Sequence, residues 1–183
     1  MIEPLISLGK KTVVAMVHLP ALPGSPDYDP VVGMNKILDA VILDLEALQS
    51  GGVDAVMFGN EFDRPYVLKA PPEGLAALAA VIGQVKSMIK VPFGVNYLWD
   101  PVATVALAVA TDADFAREIF TGLYASDMGL WAPDCAGAAR LRSSNGRPDL
   151  QMLFNINAEF ATSLDNRPLD IKAKSAVFLL KQM

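Results

Sequence analysis

The feature that most constrains this chain is an alternation. Short apolar runs rich in β-branched residues are each followed by a longer segment with apolar residues at helical spacing. The first run covers residues 12–19, followed by a Pro/Gly loop at 20–30 and a helix predicted over 33–50. Within that helix Ile37, Val41, Leu45 and Leu48 share one face, while Lys36, Asp39 and Glu46 take others. Gly51 and Gly52 then stop it, because glycine accepts a left-handed backbone without penalty. The unit recurs with strands at 53–58, 91–96, 114–120 and 150–156. Their helices fall at 73–89, from about Pro101, at 134–144 and at 169–181. Pro101 suits a first helical turn, where its missing N–H costs nothing.

Near-continuously apolar strands joined by helices imply a parallel sheet covered on both faces. The right-handed crossover rule winds successive units in one direction. Each unit takes about 35 residues, the repeat of a barrel that closes eight units in about 250 residues. The 183 residues here hold five. The expected fold class is therefore α/β: a TIM-type (β/α)8 barrel, incomplete, forming one domain over residues 1–183, with strands six to eight missing. A doubly wound open sheet is the competing architecture. It would ordinarily place a glycine-rich nucleotide loop after the first strand, where this chain has a proline-rich one.

Composition narrows the function. Hydrophobic residues make up 52% and charged residues 19%, which suits a buried sheet wrapped in helices. The net charge is −5 and no Lys/Arg cluster is present, which argues against nucleic acid as a partner. Cys135 is the single cysteine, so no disulfide framework exists and a cytoplasmic setting is expected. Residues 1–11 lack the basic-then-apolar pattern of a secretory leader. The apolar stretch at 103–110 falls far short of the ~20 residues a transmembrane segment needs.

Chemistry in parallel barrels sits at the C-terminal ends of strands. There the sequence places His18, then Asn60 and Glu61 with Asp63 and Arg64, then Asn96 with Trp99 and Asp100. The fourth unit adds Arg117, Glu118 and Thr121, and the fifth adds Asn155 and Glu159. Carboxamides both donate and accept hydrogen bonds, as a polyol or sugar requires of its site. His18 and Glu61 are the candidate catalytic acid and base. Asn60, Asn96, Asp100, Arg117, Thr121 and Asn155 are the candidate substrate-binding residues. Arg117 and Glu118 are neighbours in a strand and should point to opposite faces, with an ion pair as their plainest role. Trp99 reads as a wall. Cys135 opens a helix, a position that can lower a thiol pKa, but its plain role is structural. No Walker loop, G-x-S-x-G, H-E-x-x-H or paired CxxC occurs. His18, Glu61 and Asp100 lack any diagnostic metal-ligand spacing, so no metal is assigned and the cofactor is unknown.

At these loops the sequence resembles the BtpA/SgcQ family, most closely its SgcQ-like branch. The stretches are MVHLPALPG at 16–24, GGVDAVMF at 51–58, NEF at 60–62, PFGVN at 92–96, LWD at 98–100, REIFTG at 117–122 and LFNI at 153–156. The resemblance implies a TIM barrel of the ribulose-phosphate-binding type. It implies an enzyme of sugar metabolism, or a nucleoside-triphosphatase, or a photosystem I biogenesis role like the family's namesake. It lands the family's strand-end signatures on His18, Asn60, Glu61, Asn96, Asp100, Arg117, Thr121 and Asn155. Two departures stand out. The family's histidine-containing stretch after strand five reads NAEF at 157–160 here. The glycine-rich turns after strands seven and eight, which build the usual phosphate site, fall outside the five units.

A five-strand arc also keeps the two edges that a closed barrel abolishes. Pairing between copies through those edges is an expected route to a homo-oligomer. The expected partner at the rim is a small molecule that is sugar-like or nucleoside-like. The alternatives are a non-catalytic assembly factor and an inactive fragment.

Overall fold

The computed structural model describes residues 11–180. Residues 1–10, which carry most of the leader reading, and Lys181, the predicted end of the last helix, lie outside the described residues.

Five parallel strands form one sheet in the order β1-β2-β3-β4-β7. They are β1 (Val14–His18), β2 (Ala55–Gly59), β3 (Phe93–Asn96), β4 (Phe115–Glu118) and β7 (Gln151–Phe154). Helices α1 (Met34–Ser50), α2 (Pro72–Val85), α3 (Pro101–Thr111), α4 (Cys135–Ser144) and α5 (Leu169–Leu180) complete the five βα units. A 3-10 turn, Lys86–Met88, follows α2 directly, so the single helix expected over 73–89 is an α-helix closed by a tighter turn. No helix of the described residues is long and apolar enough to cross a membrane.

The units form for local reasons the sequence carries. In α1, Ile37, Val41 and Leu45 are buried and hold the helix to the sheet. Gly52, at φ 77°, supplies the left-handed turn after it. Helix α3 starts at Asp100, whose Oδ1 accepts from the N–H of Val102 and Ala103, both at 3.1 Å. Such a cap satisfies donors a helix N-terminus otherwise leaves open.

Alternation along each strand divides the core. Val17, Val56, Phe58, Phe93, Val95, Ala116 and Met152 face the helix layer and pack with Leu78, Val81, Ile82 and Leu107. Full burial of side chains this size contributes roughly 1.5–3 kcal/mol each. The opposite face, lined by Ala55, Met57 and Phe115 with Val14, Met16 and Leu153 against them, is the barrel interior. Gly94 is required on that face, because a Cβ there would collide with the Phe115 ring.

A second sheet was not foreseen. The segment read as the loop after strand four holds β5 (Tyr124–Ser126) and β6 (Gly129–Trp131), an antiparallel hairpin. Strand β8 (Ala161–Ser163) joins β5 from the other side, giving the order β6-β5-β8. Each strand has three residues, below the length at which alternation becomes legible. Its buried residues Tyr124 and Trp131 pack with Trp99, Ile119 and Ala158 in a separate cluster over the sheet's C-terminal end.

Candidate functional site

Strand register brings the rim residues together. His18 stands opposite Gly59, and Gly59 opposite Asn96. Phe115 pairs with Gly94, which puts Arg117 level with Asn96, and the Asn96 Nδ2 donates to the Arg117 carbonyl at 2.8 Å. Parity places these residues on the barrel's inner face with Met16 and Leu153. Asn155 follows the end of β7, its backbone N–H bonded to the Glu118 carbonyl at 2.9 Å.

A cavity of about 100 Å³ opens above this row. Five of the eight predicted site residues line it: His18, Glu61, Asn96, Arg117 and Asn155. The other three do not. Asn60 is buried below the rim, where its Oδ1 accepts from Leu98 N at 2.8 Å and its Nδ2 donates to Asp63 Oδ2 at 3.4 Å. Asp63 also accepts from Leu22 N at 3.3 Å and from the Tyr97 hydroxyl at 3.3 Å. Burial, then the neighbouring Asp63 carboxylate, pushes the Tyr97 phenol well above its ordinary value. Asp100 caps α3 and accepts from Ala70 N at 3.1 Å through Oδ2. Thr121 lines a separate, smaller cavity beside α5.

Glu118 is the residue the sequence reading underrated. Arg117 and Glu118 form no ion pair among the described residues. Strand β4 ends at Glu118, and its side chain turns back to the same cavity that Arg117 lines. Its Oε2 accepts from Asn96 Nδ2 at 2.6 Å and its Oε1 from Ile119 N at 2.7 Å. Burial in low dielectric raises its pKa from 4.5 to about 8, against the lowering effect of those donors and of Arg117. An acid closing an apolar strand at a parallel sheet's C-terminal end was the available signal.

The remaining groups have free capacity. Arg117 Nε donates to Asn155 Oδ1 at 2.9 Å, which orients the guanidinium. Its terminal nitrogens and the Asn155 Nδ2 have no other partner among the described residues. Asn96 spends both amide hydrogens on Arg117 and Glu118, so only its Oδ1 is available, as an acceptor. Glu61 is held by Tyr66, whose hydroxyl donates to the Glu61 carbonyl at 2.9 Å and to Oε1 at 3.2 Å. Burial, then Glu61, raises the Tyr66 pKa. Tyr66 lies in an irregular loop with no motif to announce it. His18 contacts Phe62 edge to face at 6.1 Å, and Arg64 stacks on the same ring at 5.8 Å. No cluster of three metal-ligating side chains occurs among the described residues. Cys135 departs from the lowered thiol pKa a helix start can give: burial, then Asp134, raises it.

Comparison with known proteins agrees with this architecture. The 7,8-dihydropteroate synthase of Vibrio fischeri ES114, a TIM barrel, superposes on 97% of this chain and 61% of its own, with a TM-score of 0.61 at 14% identity. That likeness shows the fold, an incomplete TIM-type barrel. The sgc region protein SgcQ of Escherichia coli K12 is 53% identical over 169 residues. The match covers 92% of this chain and 63% of SgcQ, so the chain spans under two thirds of that relative's length. The photosystem I biogenesis protein BtpA of Synechocystis is 29% identical over 121 residues, 64% of this chain and 42% of that protein. The sequence profile of the BtpA family matches residues 9–182, and with it the chain belongs to the BtpA family.

Proposed function

We propose that the rim cavity is an enzyme-type site for a small, hydroxyl-rich metabolite, sugar-like or nucleoside-like. One observation carries the reading. Side chains from five separate βα units meet in one cavity, with donor and acceptor capacity that the protein itself leaves unused. Arg117 and Asn155 offer donors, while Asn96 Oδ1 and the second Glu61 oxygen offer acceptors. A vicinal pair of hydroxyls takes both kinds of bond. In this reading His18 and Glu61 move protons, and Asn96, Arg117 and Asn155 orient substrate oxygens. Glu118 keeps its proton at neutral pH and supplies an acid beside them. Asn60 and Asp100 support the site from beneath. No metal or cofactor is assigned.

The test is a thermal-shift panel of pentoses, pentitols and nucleosides on the chain and its variants. A hit whose shift disappears in His18→Ala, Glu61→Ala and Asn155→Ala supports the site. Shifts that survive all three substitutions would remove it.

A non-catalytic assembly role is the second reading, and one feature favours it. Helix α5 leaves Val177, Phe178 and Leu179 exposed, Phe178 by 81%. Apolar side chains grouped on a surface commonly mark contact with another macromolecule. The name of the Synechocystis relative points the same way. Partner capture that tolerates every rim substitution and fails on Phe178→Asp would favour this role over catalysis.

A further inference from the structure

The polar chamber is too small for a whole ligand of ordinary size, since pockets for such ligands run to roughly 300–1,000 Å³. A second cavity of about 620 Å³ adjoins it. The two share Tyr66, Trp99 and Phe160 as a common wall. Beyond that wall the second cavity is bounded by Pro65, Val67, Leu68 and Met128, with Arg64, Ser126 and Asp127 as its polar members.

Its aromatic residues are held in place. Trp99 meets Trp131 edge to face at 5.5 Å and Tyr66 at 6.1 Å. The Trp131 Nε1 donates to Ser126 Oγ at 3.2 Å, which locks that ring on the β5-β6 hairpin. Phe160 is different. It is 84% exposed and has φ 56°, a backbone region that bulky side chains rarely adopt. Among the described residues other than glycine only Asp112 shares that left-handed conformation, and Asp112 ends α3 as its C-cap. Phe160 closes no helix. Its strained backbone sets an exposed ring at the boundary of the two cavities, and strain retained at such a place accompanies ligand clamping.

We infer that the second cavity takes a planar aromatic ring covalently joined to the hydroxyl-rich head in the chamber, with Phe160 closing over the ring. The substrate class is then a ring-bearing polyol such as a nucleoside, and a free sugar would engage only the smaller half. The inference rests on the small-molecule reading above and divides its two parts between separate walls. Aromatic packing favours stacked or edge-on rings beyond simple area burial. The paired cavities therefore separate ring recognition from oxygen recognition.

The chain has two tryptophans, and both border this region, so their indole N–H resonances report on it directly. We would titrate the nitrogen-15-labelled chain with indole, D-ribose and adenosine. Indole and adenosine should move the Trp99 resonance, and adenosine should bind at least tenfold more tightly than D-ribose. Phe160→Gly should weaken adenosine about five- to tenfold and D-ribose, which meets that ring only at the chamber's edge, by less than about twofold. The same variant should raise Tm by about 2–4 °C, because glycine removes the left-handed penalty. Equal affinities for adenosine and D-ribose, both indifferent to Phe160→Gly, would overturn the ring site and leave the chamber standing. Adenosine binding that fails in Phe160→Gly but is untouched by Arg117→Met would retain the ring site and overturn the chamber. Silence from all three probes would overturn the inference.

Discussion

Two polar clusters meet at the adjacent residues Asn96 and Tyr97, where β3 ends, and they use the same residue types differently. In the lower one, Asn60 and Tyr97 both bond Asp63, and Asn60, Asp63 and Asp100 take the backbone N–H groups of Leu22, Ala70, Leu98, Val102 and Ala103. Its acceptors are consumed by the chain's own donors, so it fixes loops and starts a helix. In the upper one, Asn96, Glu118, Arg117 and Asn155 bond one another but leave the guanidinium tip, one carboxamide NH2 and one carboxamide oxygen to the cavity. The difference teaches that an asparagine or acid at a strand end becomes a ligand group only where the protein has not already used its bonding capacity. Buried polar groups of either kind need partners. The upper cluster is the one whose partners are incomplete.

The largest expected effect comes from the upper cluster. The folded protein holds the Glu118 proton up to about pH 8, while the unfolded chain releases it near 4.5. Between those values the native state binds one proton more, so stability falls as pH rises through the window and is fully present below it. The slope is about 1.4 kcal/mol per pH unit, or roughly 5 kcal/mol across the whole window. Urea titrations from pH 5 to pH 9 measure it. Glu118→Gln should flatten the profile. It should also lower overall stability, because one face of the amide presents donors to the Asn96 amide or the Ile119 N–H. A wild-type profile already flat over that window would show that Glu118 is ionised in the folded protein.

The lower cluster should respond with no such pH signature. Asp100→Ala removes the α3 cap and leaves Ala70 N unpaired, a loss of about 2–3 kcal/mol. Asp100→Asn keeps one acceptor oxygen and should recover about half of that. Equilibrium unfolding of both variants decides it. If Asp100→Ala instead folds as stably as the wild type while losing ligand, the division between the clusters fails.

Much of this was legible in advance and some was not, for physical reasons. The five βα units follow from long amphipathic helices such as α1 and from near-continuous apolar strands, signals that tertiary packing reinforces. The gathering of His18, Glu61, Asn96, Arg117 and Asn155 follows from strand direction alone, since every parallel strand delivers its last residue to the same end. Asn60 and Asp100 looked equivalent to these because sequence position does not reveal which lone pairs the backbone already occupies. Arg117 and Glu118 looked like a pair split between two faces because alternation was extended one residue too far. Glu118 is the strand's last residue, where a long side chain can turn over the sheet's end instead of staying on its own face. The β5-β6-β8 sheet escaped notice because its strands are three residues each and β8 begins thirty positions after the hairpin ends.

The smallest effect on stability should come from the residues with the largest effect on binding. Asn155 is half-buried and gives up one bond, to Arg117 Nε. Asn155→Ala should therefore change unfolding stability by no more than about 0.5–1 kcal/mol. Arg117→Met keeps the apolar stem on the inner face and loses the same Nε bond to Asn155 together with the groups that face the cavity, so its change should be similar. Both should weaken adenosine more than tenfold, the loss of one or two hydrogen bonds to a charged or oriented donor. Calorimetric titration beside the unfolding measurements separates the two quantities. A variant of the lower cluster reverses the pattern, large in stability and indirect in binding. If Asn155→Ala proves as destabilising as Asp100→Ala, its amide is a structural strut like Asn60, and the cavity loses the donor that most clearly lacks a partner.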